Sequence, residues 1–437
     1  MIFSRFNICS SFGENNIVIY NTLNKALLKI DKNLYDINYF EKLSKMYPKV
    51  KDFIVYDQES ESNYLDYYFN SMVYQSTRLN VTLMMTMSCN FKCVYCFEGW
   101  INDRERQVVL DEDLFVDWLI SFIKKYHFSQ LDLCFHGGEP LLAYSKIIKI
   151  ASVIKKFCEK NRIFYLFTMV TNGYCLTQKV STELYLNGVT IFQVTVDGIA
   201  DIHNQRRPLK NGQGTFEKII QNIKSNNKLK CYLNLVYDDG NVSGFYDLID
   251  YLVEEKITNK IDLINLSSVK PIISDNHGSC VKPGYAEDAD ERIDMIKYIC
   301  YNGFKTSFDL DFQLCTMKQK SSVVITPDLS IYKCISGVGD KDFLIGSIDS
   351  PNTDPFDMQN KIIENDNNKR CSYCCYMPIC NKFCLYEAKI SQNGDVVCNR
   401  DFFDEYVPKY LKLLLDEKCS KNIVLDSTRE EWGLSYL

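Results

Sequence analysis

Cysteine is the residue whose number and spacing first point to chemistry, with 19 copies in a chain of 437 residues. Three of them fall in Cys89-Asn90-Phe91-Lys92-Cys93-Val94-Tyr95-Cys96, close enough on one loop to wrap a single metal centre. A 4Fe-4S cluster has four irons, so three thiolates leave one iron open to another ligand. A structural zinc site is the other reading, but zinc prefers four closed ligands and no His lies nearby to complete the set. A second group runs from Cys280 onward, as Cys371-X2-Cys374-X5-Cys380-X3-Cys384, with Cys398 after it and Cys315 and Cys334 before it. Cys9, Cys134, Cys158, Cys175 and Cys231 are scattered through apolar contexts, where a thiol serves as a small buried hydrophobe. No export signal precedes them, and reducing cytosol disfavours disulfides, so the two groups read as metal ligands.

Three further clusters carry polar groups at turns. Phe135-His136-Gly137-Gly138-Glu139-Pro140 combines two glycines, which let a backbone approach a ligand closely, with an acid able to accept hydrogen bonds from a charged amino group. A plain strand-to-helix turn is the alternative. Thr171-Asn172-Gly173 and Thr195-Val196-Asp197-Gly198 are either ordinary turns or site residues, since Asn-Gly and Asp-Gly are common turn pairs.

Such clusters need a scaffold that brings them together, and the pattern from Leu79 to about Tyr301 supplies one. Short apolar strands at Asn80 to Met85, Leu131 to Phe135, Phe164 to Val170, Thr190 to Val196, Cys231 to Val236 and Ile261 to Leu266 alternate with amphipathic helices, predicting six βα units. The first four strands each run into one of the clusters, and sites in parallel α/β sheets sit at the carboxyl ends of strands. Four clusters should therefore meet at one mouth. Residues 1–78 read as a separate small α+β module, with a hairpin of Asn15 to Tyr20 and Ala26 to Ile30 around Asn21-Thr22-Leu23-Asn24, then helices. The polar run Asp57 to Asn63 reads as a linker or exposed turn. Residues 306–419 read as loop-rich and held by metal, and 420–437 as a tail without an assigned role.

Composition bounds the partners. With 46% hydrophobic and 24% charged residues the chain is ordinary globular protein, long enough for two or three domains. No apolar run reaches the roughly 18 residues of a membrane span. A net charge of -6 provides no global field for phosphates. The expectation is a cytoplasmic protein with no nucleic-acid or membrane partner, acting on a peptide or a small molecule.

The Cys-X3-Cys-X2-Cys loop after a first strand, with an aromatic before the third Cys, resembles the hallmark of the radical S-adenosylmethionine (SAM) superfamily over about Leu79 to Asp404. The resemblance implies an α/β fold with a partial (β/α)6 TIM barrel. It also implies a 4Fe-4S cluster on Cys89, Cys93 and Cys96 whose open iron binds SAM, and reductive cleavage to a 5'-deoxyadenosyl radical. Tyr95 would lie beside the adenine. Gly137, Gly138, Glu139 and Pro140 match the superfamily's Gly-Gly-Glu-Pro motif, and Asn172, Thr195, Asp197 and Arg207 would complete the SAM pocket. A Ser is usual where Thr195 stands, and the Arg twelve residues on helps hold the SAM carboxylate. For His203 and Arg206 structural roles stand beside catalytic ones.

The later cysteines resemble the seven-cysteine SPASM pattern, which implies two auxiliary 4Fe-4S clusters and three in all. Cys371, Cys374, Cys380 and Cys398 would hold the outer one, and Cys315, Cys334 and Cys384 the inner one, with Cys375 a bystander. Two positions depart from the pattern. Leu329 replaces the family's Gly, and Ser321 stands where relatives with full ligation carry a Cys, so either Cys280 or Cys300 substitutes or the inner cluster keeps an open iron. The resemblance points to a peptide maturase that installs a thioether or carbon-carbon crosslink in a ribosomally made precursor peptide, reduced by a partner such as flavodoxin or ferredoxin. The N-terminal module would contact the leader by strand addition, or simply cover the barrel. Anaerobic sulfatase maturation to formylglycine is the alternative, disfavoured by Ile335 where those enzymes carry an Asp base. A non-catalytic iron-sulfur electron carrier is the third reading. The sequence names no catalytic residue.

Overall fold

The computed structural model describes residues 1–74, 77–96, 98, 108–269, 272–274, 280–282, 287–310, 314–350, 371–380, 384, 386 and 398–424. The N-terminal part opens with β1 (Ile2–Phe3), then β2 (Asn7–Phe12), β3 (Asn16–Asn21) and β4 (Leu27–Asp31), and β5 (Ile54–Val55) returns to pair with β1. β2, β3 and β4 form an antiparallel meander. The expected hairpin is β3–β4, and its turn is closed by Asn21, whose side-chain oxygen accepts from Leu23 N at 3.0 Å and Asn24 N at 3.1 Å. β2 was not anticipated, because Asn7 and the two serines of Asn7-Ile8-Cys9-Ser10-Ser11-Phe12 blur its alternation. Its outer edge is covered from the far end of the chain, where Pro408 O of helix Arg400–Leu414 accepts from Ser10 Oγ at 3.3 Å.

The run Asp57 to Asn63 is not a linker. Asp57 caps the helix Gln58–Val73, accepting from Ser60 N at 2.7 Å, and Glu59 and Glu61 in the first turn suit the positive end of the helix dipole. Glu61 is buried rather than exposed, taking hydrogen bonds from the Ser4 hydroxyl and from Arg5 N. Polarity here encodes a helix start, and composition alone mistook it for a break.

The middle of the chain forms six parallel strands in sequence order: β6 (Arg78–Met84), β7 (Gln130–His136), β8 (Phe164–Thr171), β9 (Val189–Thr195), β10 (Lys230–Tyr237) and β11 (Leu263–Ser268). One side-chain face is apolar: Leu79, Val81 and Leu83, with Leu131, Leu133 and Phe135, pack under helices Glu112–Tyr126 and Tyr144–Asn161 in the main core. Period-2 alternation then places Asn80, Thr82, Asp132, Cys134, Gln193, Thr195 and Asn234 on the other face. That face is mixed: Arg78 is paired to Asp132 at 2.7 Å and Ser267 Oγ donates to Asn234 at 2.8 Å, while Leu166, Ile191, Tyr232 and Leu263 form a small apolar cluster.

Beyond residue 305 the chain contributes more regular structure than its weak periodicity suggests. Ahead of that point, β12 (Ile272–Ser274) and β13 (Cys280–Lys282) form a separate hairpin before helix Ala289–Tyr301. β14 (Thr306–Ser307) joins β11 in parallel. β15 (Ser322–Ile325) lies parallel to β6, and β16 (Ser330–Tyr332) and β17 (Leu344–Ser347) continue outward in antiparallel fashion. From the tail, β18 (Ile423–Val424) adds to β14, giving eleven strands among the described residues. Residues 425–437 lie outside the described residues, as do the side chain of Cys280 and residues 351–370 of the cysteine-rich part. Among the described residues no helix is long and apolar enough to cross a membrane.

Candidate cofactor site

The carboxyl ends of β6 to β10 bring the four clusters together. Past β6 the backbone continues beside the end of β7: Met85 N donates to His136 O at 2.9 Å, Gly138 N to Thr86 O at 2.8 Å and Glu139 N to Ser88 O at 2.9 Å. This contact explains the glycines. A Cβ on Gly137 would stand 2.4 Å from Thr86 O, and one on Gly138 2.4 Å from Ser88 O. Each added Cβ would meet the chain's own segment entering the cysteine loop, and Gly137 also has φ +119. Pro140 then starts a short 3-10 helix whose first turn is capped by Glu139.

Glu139 is fully buried and works as a hub. One oxygen accepts from the Thr171 hydroxyl at 2.6 Å and Leu141 N at 3.0 Å, and the other from Asn172 N at 2.7 Å. Burial pushes its pKa up and these hydrogen bonds pull against that. Two carboxylate oxygens offer about four acceptor positions, so the one beside Asn172 retains capacity for a further donor. Asn172 itself faces the cysteine loop, donating to Asn90 Oδ1 at 2.8 Å with the Cys89 sulfur 4.0 Å away.

The cysteine loop is sewn to the segment after β9 through Lys92 N to Pro208 O at 2.9 Å, Val94 N to Arg206 O at 3.0 Å and Lys210 N to Asn90 O at 3.0 Å. Cys89, Cys93 and Cys96 are half-buried neighbours. Desolvation first, and then the negative charge of Glu139, Glu98 and the other thiols, pushes Cys89 up to about 11 and Cys96 up to about 12. Thiols so placed ionise readily only when a cation or cluster arrives to offset them. Three soft thiols on one loop are a donor set that fits an iron-sulfur cluster.

Beside it, Tyr95 is clamped. Its hydroxyl donates to Asp197 Oδ1 at 2.8 Å and accepts from Arg207 Nη1 at 2.8 Å, while the Arg206 guanidinium lies 4.9 Å from the ring centre. Arg206 also donates to Asp197 Oδ2 at 3.1 Å and makes a bidentate pair with Asp238 at 2.9 and 3.0 Å. Arg207 Nε is buried and has no partner, an orphan donor positioned for an anionic or hydroxyl oxygen of a ligand. Thr195 ends β9, buried, two residues before Asp197. The pocket thus has an unused donor at Arg207 and an unused acceptor at Glu139, which suits the carboxylate and ammonium of an amino acid such as the methionine part of SAM. Asp238 and Asn241, whose side-chain nitrogen holds Asp197 O at 2.7 Å, were missed from the sequence. Their signal was the polar turn directly after β10, the same strand-end rule that found the other four clusters.

The later cysteines separate into two neighbourhoods. Burial, and then the charges of Cys374, Cys371 and Cys398, push Cys380 up to about 12. Cys334 is pushed up to about 11 by burial, opposed by two backbone hydrogen bonds, with Cys315 and Cys384 as its charged neighbours. Cys375 touches Cys374, whose pKa falls to about 6, led by that hydrogen bond. Cys300 is buried against Cys419, thiol to thiol, and belongs to neither group. Ser321 is buried with its hydroxyl unpartnered. Leu329, where the resemblance expects a Gly, has a left-handed backbone at φ +64.

Residues 83–252 match the family model for the radical SAM superfamily. The curated relatives include enzymes. The chain is 21% identical over 291 residues to the radical SAM cyclopropyl synthase TigE of Paramaledivibacter caminithermalis, covering 58% of this chain and spanning 61% of that protein's length. Against a cysteine-type anaerobic sulfatase-maturating enzyme of Clostridium perfringens it is 23% identical over 358 residues, 74% of this chain and 95% of the relative. The fold is that of SuiB of Streptococcus suis, solved bound to its precursor peptide SuiA, with a TM-score of 0.54 at 15% identity over 90% of this chain and 98% of SuiB. The structure of anSMEcpe with bound AdoMet superposes with a TM-score of 0.62 at 18% identity, over 79% of this chain and 98% of the other.

Proposed function

We propose that this chain is a radical SAM peptide maturase, installing a thioether or carbon-carbon crosslink in a ribosomally made precursor peptide. The observation that carries the proposal is the sorting of ten cysteines into three neighbourhoods. Cys89, Cys93 and Cys96 would hold the SAM-binding 4Fe-4S cluster, Cys315, Cys334 and Cys384 an inner auxiliary cluster, and Cys371, Cys374, Cys380 and Cys398 an outer one. When bound and reduced, the first of these clusters would supply the electron for reductive cleavage of SAM to methionine and a 5'-deoxyadenosyl radical. The chain's own groups would bind and orient: Glu139 would accept from the SAM ammonium, Arg207 Nε would donate to the cofactor, and Tyr95, fixed by Asp197 and Arg207, would form one wall.

A peptide substrate is supported by the N-terminal meander. Asn21 N to Ala26 O and Lys32 N to Asn15 O show that the even-numbered residues of β4 bond to β3. Leu27, Lys29 and Asp31 therefore turn their backbone groups toward the open edge, ready for an added strand. Beside that edge lies a cleft of about 650 Å³ lined by Ala26, Leu28, Val50, Phe53 and Phe308. Residues 1–78 would serve as the leader-contact module, 79–305 as the barrel and 306–419 as the auxiliary-cluster domain, with a flavodoxin or ferredoxin as reductant in the cytoplasm. Ile335, where sulfatase maturases carry an acidic base, packs instead against an apolar cluster that includes Met84, Met317 and Tyr332. Anaerobic reconstitution followed by reduction with SAM tests the proposal: about twelve irons per chain and release of 5'-deoxyadenosine are expected. Release of none by the loaded protein refutes it.

A further inference from the structure

Asp197 and Arg207 approach the pocket from opposite ends of the short helix Ala200–Arg206, and one buried side chain joins them. His203 is fully buried, and its Nδ1 lies 3.2 Å from Asp197 N. A backbone N–H can only donate, so Nδ1 accepts and the ring proton sits on Nε2. Nε2 then donates to Thr215 Oγ1 at 3.1 Å, and the Thr215 hydroxyl donates to Arg207 O at 2.8 Å. Every role in the chain follows from the first, with a single tautomer throughout. The far end is closed twice, because Arg207 N donates to His203 O at 2.7 Å. Thr215 is buried, and its own N–H is held by Asn204 Oδ1 at 2.7 Å, so the relay rests on fixed backbone. Burial, and then the two neighbouring guanidiniums, keep the imidazole uncharged, as the relay needs.

We infer that His203 and Thr215 are positioning residues for SAM: their relay sets the spacing of Asp197 and Arg207, the two residues that clamp Tyr95 and aim the orphan Arg207 donor. This rests on the assignment of that pocket to SAM. Both act through the backbone of Asp197 and Arg207. The competing role is packing, since the His203 ring lies 5.9 Å from that of Phe216 and Thr215 is enclosed.

Two substitutions at Thr215 separate the roles because they move in opposite directions. Thr215→Val keeps the volume and removes the hydroxyl, whereas Thr215→Ser keeps the hydroxyl and removes a methyl group. The readout is SAM affinity of the reconstituted full-length protein by equilibrium dialysis, with iron content and melting temperature measured alongside. The relay predicts that Thr215→Val weakens SAM binding roughly three- to tenfold, the size of one lost hydrogen bond, while Thr215→Ser stays close to the parent. His203→Asn keeps an acceptor near the Nδ1 position but cannot reach Thr215. It should weaken binding like Thr215→Val, and the double variant should be no worse than either alone. Thr215→Val binding SAM as the parent does, Thr215→Ser proving the weaker of the two, or additive losses in the double variant would overturn the inference. If Thr215→Val takes up no iron, His203→Asn decides by the same criterion. A parent protein that does not bind SAM would instead refute the pocket assignment itself.

Discussion

Gly138→Ala probes how the cysteine loop is positioned. The added Cβ would lie 2.4 Å from Ser88 O, 2.6 Å from Ser88 C and 2.9 Å from Met87 O, all of them backbone that no rotamer change can clear. Restoring ordinary contact requires the two segments to part by about 1 Å. The hydrogen bonds from Gly138 N to Thr86 O, at 2.8 Å, and from Glu139 N to Ser88 O, at 2.9 Å, would then exceed bonding range. Leaving those buried groups unmade costs about 1 to 3 kcal/mol each, so the variant should lose about 2 to 6 kcal/mol out of a typical total of about 5 to 15. The displaced segment ends on Cys89, so iron uptake should fall by about one cluster, roughly four irons per chain. Urea unfolding and iron counting after anaerobic reconstitution measure both. Full iron with a stability loss under about 0.5 kcal/mol would refute the account of these glycines as a backbone joint.

Leu329 adopts φ +64, a conformation that costs a non-glycine residue about 1 to 2 kcal/mol, yet it is buried in the main core. Leu329→Gly relieves the strain but gives up burial of about 1.5 to 3 kcal/mol and adds chain entropy of about 0.5 to 1; a net loss of about 1 to 2 kcal/mol is expected, and a gain would show that strain outweighs packing. The Lys146 hydrogen bond is the main cause holding Glu112 down to about 2, below its unfolded value of about 4.3. Its contribution is therefore present above about pH 4.3 and lost as pH falls toward 2. Lys146→Met should cost about 0.5 to 1 kcal/mol at pH 7, given solvent screening, with the gap to the parent closing on the acid side; a pH-independent gap contradicts the linkage. Because the Cys300 thiol is engaged with Cys419, Cys300→Ala should leave the iron count unchanged, and a loss of about four irons would place it on a cluster.

The central strands were legible because they are short apolar runs, four of them (β7 to β10) closed by a Gly, Asn or Asp turn, and those runs need no distant partner to be recognised. Residues at their ends were legible for the same reason: Glu139, Asn172, Thr195 and Asp197 follow strands that had already been found. What stayed hidden depends on contacts between distant parts of the chain. β2 is a strand because β3 pairs with it and Pro408 covers it, nearly four hundred residues away in sequence. β15 to β17 extend the sheet because β6 offers an edge, which a short run such as Ser322-Val323-Val324-Ile325 cannot announce alone. The polar start of helix Gln58–Val73 was misread because its acids are satisfied by capping and by Ser4 and Arg5, and composition registers only that they are charged.

Phe6, Leu23 and Leu65 from the N-terminal module share one apolar cluster with Met377, against which Cys371 and Cys374 pack, and Thr22 Oγ1 donates to Cys375 O at 2.5 Å. One wall beside Cys371 and Cys374 is thus built by the first 65 residues. If those thiols hold iron as proposed, a shortened chain lacking these residues would lose it to oxygen and chelators sooner than the parent does.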